Sequence, residues 1–147
     1  MAHLTAAMVR HSLPLLAWVI MPEHLHLILS PTAEESVSSF LNAVKNPLAK
    51  EVLGRWRAMN AAVLPRLRDR DGDVHFWQAG GGYDRHVTGA ELLEKVRYVH
   101  ANPVARGLSP DSVSWTWSSA AAFRGRSRPG DPNIAFELVP ASATDLT

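Results

Sequence analysis

The stretch "MPEHLHLIL", residues 21–29, sets two histidines two positions apart inside an otherwise apolar run. Before it, "LLAWVIM" at 15–21 reads as a buried strand: short, apolar and bounded by prolines. Pro22 and Glu23 fit a tight turn, and residues 24–30 then read as a second strand, so the two predict a hairpin. Strand side chains alternate faces, which puts Leu25, Leu27 and Leu29 on one side and His24, His26 and Ile28 on the other. The leucines are expected to meet the helices, and the histidines to look out from the open face. Two imidazoles projecting in parallel can converge on one metal ion. They can equally be ordinary polar residues of a half-exposed strand, and the rest of the chain has to separate these readings.

The chain has 147 residues, 46% of them hydrophobic, and a net charge of +1, which suits one compact domain and argues against disorder. With no cysteine, disulfides and thiolate-bound zinc are excluded, so any metal must be held by His, Asn, Gln or carboxylate. The longest apolar run, "LPLLAWVIMP", falls far short of the ~20 residues that cross a bilayer, and no small-residue cleavage site follows it. No membrane partner is expected, and a cytoplasmic protein is. Charge is unevenly spread: residues 41–70 carry Lys45, Lys50, Arg55, Arg57, Arg66, Arg68 and Arg70 against only Glu51 and Asp69. Such a patch can bind nucleic acid although the whole chain is near neutral, and arginine favours bidentate phosphate contacts. It can also be a plain solvated helix face.

Further along, residues 3–12 read as a short helix, and 34–57 as a longer one in which Val37, Phe40, Leu41, Val44 and Leu48 follow helical spacing. Glu34 and Glu35 suit its N-terminus, and Pro47 is expected to kink it. "PRLRDRDGD" at 65–73 is a charged loop, "VHFWQ" at 74–78 reads as a third strand, and "AGGGYDRHV" as a turn or a glycine-bent strand. Thr88 followed by Glu91 is a capping-box pattern, opening a helix expected to stop near Ala101 at "NP". Strands and helices in this order give an α+β plan with an antiparallel sheet and helices on one face. The domain is expected to span 1–123, with a loose tail over 124–147.

At ~100° per residue, Leu92, Leu93, Val96, Val99 and His100 form one apolar stripe on the 88–102 helix. Tyr98 falls roughly 160° from its centre, away from the side a core tyrosine would take. It shares its flank with Asn102, one turn on. A surface tyrosine, or one covered by the tryptophan-rich segment that follows, would look the same. Asn102 precedes a proline, which pushes it out of helical geometry and frees its amide. Trp77, Trp115 and Trp117 could stack on unpaired bases, although packing is the commoner use of such residues.

"WVIMPEHLHLIL", "FWQAGGGYDRHV", "VRYVHANPVARGL" and "WTWSSAAAF" together resemble, in order and spacing, successive blocks of the REP-associated tyrosine transposases. These are single-tyrosine members of the HUH family of DNA strand-transfer enzymes. The resemblance covers about residues 15–123. It implies a ferredoxin-like sheet, with His24 and His26 as metal ligands, Asn102 as the third ligand and Tyr98 as the nucleophile. Tyr83, the other of the two tyrosines, is the rival nucleophile and ranks behind it. A divalent ion, Mg²⁺ or Mn²⁺, would polarise the scissile phosphate as a Lewis acid. Tyrosinate attack would leave a 5′-phosphotyrosine and a free 3′-hydroxyl. The implied partner is single-stranded or hairpin DNA in the nucleoid, with monomer and homodimer both open. Lys45, Lys50, Arg55, Arg57, Arg85 and Arg97 are the candidate DNA-backbone contacts.

Two features depart from the family pattern. Only about fourteen residues precede the strand at 15–21, so the sheet is expected to lack its usual first strand. Glu23 stands where the family more often has asparagine, and it places a negative charge beside the candidate metal site. Two alternatives therefore stay open: a transposase-derived DNA-binding protein with impaired catalysis, and a metal-dependent phosphodiesterase.

Overall fold

Strand β1, Leu15–Ile20, pairs antiparallel with β2, Leu25–Leu29, and the two make up the sheet found among the described residues. The computed structural model describes residues 1–31, 37–78 and 86–140. Helix α1, Ala2–His11, precedes the hairpin, and helices α2, Val37–Ala58, and α3, Gly89–Ala105, follow it. The architecture is α+β, a truncated form of the ferredoxin-like plan. The chain divides into two compact units, residues 1–35 with 86–147, and residues 36–85.

The hairpin register decides which face is buried. Val19 pairs with His26 and Ala17 with Ile28, and cross-strand partners share a face. Ala17, Val19 and Ile28 lie in one core with Val96 and Val99 of α3, so α3 covers the histidine face. This reverses the sequence expectation, in which the leucines faced the helices and the histidines an open face. Ile28 explains the reversal: it is the buried residue of β2, while Leu25, Leu27 and Leu29 are only half-buried.

The other edge of β1 is occupied as well. The Ile20 N–H donates to Trp117 O (2.8 Å), the Trp115 indole donates to Ile20 O (3.0 Å), and Ala135 N–H donates to Leu15 O (2.9 Å). Buried Ser119 accepts from Trp18 N–H at 2.9 Å, and its Oγ lies 2.8 Å from His100 Nε2. One hydroxyl thus links α3 to the backbone of β1. Burial leaves no water to replace these bonds.

Helix α3 begins as expected, with the Glu91 carboxylate accepting from Thr88 N–H at 3.1 Å. It does not stop at "NP". Pro103 lies inside its last turn, and the helix ends at a Schellman motif around Gly107 at φ +66. There Leu108 N–H reaches Pro103 O (2.8 Å) and Gly107 N–H reaches Val104 O (2.9 Å). Gly107 takes the left-handed backbone that residues with a Cβ resist, so it is the stronger stop signal.

In the second unit, Phe40, Val44 and Leu53 are the buried residues of α2, and Pro47 stands inside that helix. "VHFWQ" is not a strand; among the described residues its one ladder contact is the bridge between Val74 and Arg68. Its aromatic residues pack instead: Phe76 meets Trp56 and Trp77 at 5.6 and 4.8 Å between ring centroids. The Trp77 indole donates to Lys45 O at 2.9 Å. Glu34 and Glu35, expected at the N-terminus of α2, and the "AGGGYDR" part of the glycine block lie outside the described residues.

Of the segment expected to form a loose tail, Val139 is buried in the first unit's core, with Ile134 and Ala135 packed against it. Among the described residues no helix is long and apolar enough to cross a membrane. Replacing Ser119 by Ala would strand two buried polar partners. The unfolding free energy should fall by about 1–3 kcal/mol, read from the shift in urea midpoint.

Candidate functional site

His24 ends the turn and His26 sits within β2, their rings 4.8 Å apart and nearly perpendicular. The flank of α3 faces them: the Tyr98 ring lies 5.8 Å from that of His26. Tyr98 is 58% exposed, because the stripe carrying Val96, Val99 and His100 takes the core side of the helix. Asn102, one turn further, donates from Nδ2 to Tyr98 O at 2.8 Å, and its side chain lies close enough to His26 to bear on that ring's pKa. The Asn102 amide is therefore held by a local bond within a continuing helix, rather than freed at a helix end. The structure brings together all four residues singled out from sequence as ligands and nucleophile.

Electrostatics favour a neutral His26. Burial, then the neighbouring His24, lowers the pKa of His26, while the Asn102 side chain pulls the other way. The Nε2 atom of His26 is buried and has no hydrogen-bond partner among the described residues. A buried ring nitrogen without a partner is costly unless something binds it. Two imidazoles with an amide oxygen beside them form a donor set that fits a divalent ion accepting nitrogen and oxygen ligands. The site can thus hold a cation next to an exposed phenol.

The candidate DNA contacts fall in both compact units. Arg97 is exposed on α3 beside Tyr98, and Lys50 and Arg57 are exposed on α2. Arg55 is engaged with Glu51 at 2.6 Å, and the Lys45 ammonium lies 5.4 Å from the centre of the Trp77 ring. Arg85 and the rival Tyr83 lie outside the described residues. Trp77 and Trp115 are half-buried and donate to backbone carbonyls, whereas Trp117 is 50% exposed.

Sequence reasoning passed over three features. Asp69, Asp73 and His75, all exposed, offer ligand atoms within 4.8 Å of one another, a second place where a cation could be held. The turn's own bonds account for their grouping: His75 Nε2 meets Asp69 Oδ2 at 2.8 Å, and Asp69 Oδ1 accepts from the N–H groups of Asp71 and Asp73. "DRDGD" was the signal, although it reads equally as a charged turn. The second feature is buried His100 with its Ser119 contact. The third is the ion pair of Glu23 with Arg106, 3.1 Å apart in space and 83 residues apart in sequence.

Among solved structures, the chain is similar to a REP-associated tyrosine transposase bound to a REP hairpin. The TM-score is 0.58 and the identity 20%, over 90% of this chain and 72% of that one. At this identity the likeness is one of fold. No protein-family profile matches the chain, and no curated protein does.

Buried histidines give the fold an acid limit. Burial pushes His100 down to about 4, and His26 is lowered as well, whereas in the unfolded chain both titrate near 6.5. Between these values the unfolded state binds more protons, so stability is full above about pH 6.5 and is lost as pH falls toward about 4. Urea unfolding at pH 4.5 should show about 2–3 kcal/mol less stability than at pH 7.5 from His100 alone. His100→Gln should flatten that part of the profile.

Proposed function

We propose that the protein is a DNA strand transferase of the single-tyrosine HUH type, cleaving and rejoining single-stranded or hairpin DNA. The observation that carries this reading is the meeting of His24, His26 and Asn102 with the exposed Tyr98 on one flank of α3. The fold shared with a transposase bound to a REP hairpin supports it. His24, His26 and Asn102 would hold a divalent cation, Mn²⁺ or Mg²⁺, with imidazole leaning toward Mn²⁺. When bound, such an ion supplies Lewis-acid polarisation of a phosphate oxygen.

Every other part of the reaction falls to the chain. Tyr98 Oη forms the bond to phosphorus as the bond from phosphorus to the 3′-oxygen breaks. The phenolic proton passes to the solvent that reaches this exposed ring, and the departing 3′-oxygen takes up a proton. The 5′-phosphotyrosine keeps a phosphoester linkage, so a later 3′-hydroxyl can reseal the strand without ATP. The core contacts of Val96 and Val99 set the rotation of α3, and with it the side on which Tyr98 stands. Arg97, beside the nucleophile, and the basic residues of α2 would meet the DNA backbone and make binding salt-dependent.

A labelled single-stranded hairpin incubated with Mn²⁺ should yield a covalent protein–DNA adduct that survives denaturation. Tyr98→Phe should abolish the adduct while leaving salt-sensitive hairpin binding within about twofold. His26→Ala should reduce adduct formation by about 100-fold or more, in line with loss of a group acting in the transition state. No adduct from the wild-type chain with any divalent metal would overturn the reading. Hydrolysis of a small phosphodiester without a Tyr98 adduct would replace it with the phosphodiesterase alternative.

A further inference from the structure

Glu23 stands in the turn between β1 and β2, immediately before His24, and its carboxylate is shared between two elements. Oε1 accepts from Arg106 Nη2 at 3.1 Å, and Oε2 lies 3.8 Å from His24 Nδ1. Arg106 caps the C-terminal end of α3, directly after the turn of helix that carries Asn102. One acidic side chain therefore joins the histidine turn to the end of the Tyr98 helix. An exposed carboxylate beside a cation site could ligate the ion itself. The Arg106 guanidinium works against that, because it holds one oxygen and offsets the charge.

The second oxygen bears on the imidazole. A ring nitrogen facing a carboxylate favours keeping its proton, which leaves the lone pair on the other nitrogen. For His24 the nitrogen left free is Nε2. His26 presents an Nε2 that has no partner among the described residues, so both rings can offer the same nitrogen. At 3.8 Å the contact is electrostatic rather than a hydrogen bond. A cation at Nε2 makes Nδ1–H a stronger donor and favours shortening it. Carboxylates placed behind ligating imidazoles in this way raise ligand basicity and fix ring orientation.

We propose that Glu23, held by Arg106, is a positioning residue that sets His24 in its Nδ1–H tautomer and leaves Nε2 as the ligating atom. This rests on the cation-binding reading of His24 and His26. It also gives the acidic departure from the family pattern a role in the site.

Two measurements on the full chain test it. Long-range ¹H–¹⁵N spectra of the histidine rings, without metal, should show the Nδ1–H tautomer dominant at His24. That preference should weaken in Glu23→Gln and in Arg106→Gln. Mn²⁺ titration followed by the electron paramagnetic resonance signal of the free ion should show a site lost in the His24→Ala/His26→Ala double variant. That control separates it from any binding at Asp69, Asp73 and His75. At this site Glu23→Gln should weaken affinity about ten- to a hundredfold. Glu23→Asp, which keeps the charge on a shorter stem, should weaken it as well. Glu23 and Arg106 are both well exposed, so these variants keep the fold.

An unchanged tautomer with unchanged affinity in Glu23→Gln overturns the proposal. So does wild-type affinity in Glu23→Asp beside a loss in Glu23→Gln, which would reduce Glu23 to a general attraction for cations. If the wild-type chain binds no Mn²⁺ at the histidine pair, the cation-binding reading itself fails and takes this proposal with it. A wild-type site that is indifferent to Glu23 defeats only the latter.

Discussion

The packing of α3 against the Val19 and Ile28 face of the hairpin is the constraint on which the rest depends. Val96 and Val99 fill that face, and the Ser119 hydroxyl bonds at once to His100 and to the backbone of Trp18. Apolar burial fixes which side of the helix turns inward. The buried hydrogen bonds add a directional requirement that hydrophobic contact lacks. Helix rotation and strand register are therefore set together. Tyr98 and Asn102 reach the histidines only because both are fixed.

The site that results is half in the core and half in water. His26 has a buried ring nitrogen with no partner among the described residues, whereas Tyr98, on the neighbouring flank, is open to solvent. Burial favours the neutral form of His26, the form that can donate a lone pair, and exposure keeps the Tyr98 phenol open to solvent. The boundary between α3 and the hairpin supplies both environments within a few ångströms.

The tryptophan-rich segment does the work of an edge partner. Trp115, Trp117 and Ser119 contribute an indole, a backbone carbonyl and a hydroxyl to the outer side of β1. Satisfying that edge matters because a row of open N–H and C=O groups invites pairing with other chains. The segment beyond residue 124 adds Ile134, Ala135 and Val139 to the same core. These side chains stabilise the sheet that holds the histidines, although none of them touches the candidate chemistry.

Much was legible from local pattern. The hairpin, the capped start of α3, its apolar stripe and the outward flank of Tyr98 all follow from periodicity and from residues a few positions apart. The sequence by itself also determined the candidate ligand and nucleophile types, since a cysteine-free chain leaves imidazole, amide and carboxylate as donors. It misjudged the strand at 74–78, because the adjacent aromatics Phe76 and Trp77 serve packing and not a ladder. Only the tertiary structure decided which face of β2 is buried: β1 is apolar on both faces and gives no preference, so the choice falls to the helix that packs there. The same holds for the ion pair of Glu23 with Arg106, whose partners meet only after folding has closed 83 residues of chain. Short-range order was written in neighbouring residues, whereas the faces and the long-range pairings were set by burial.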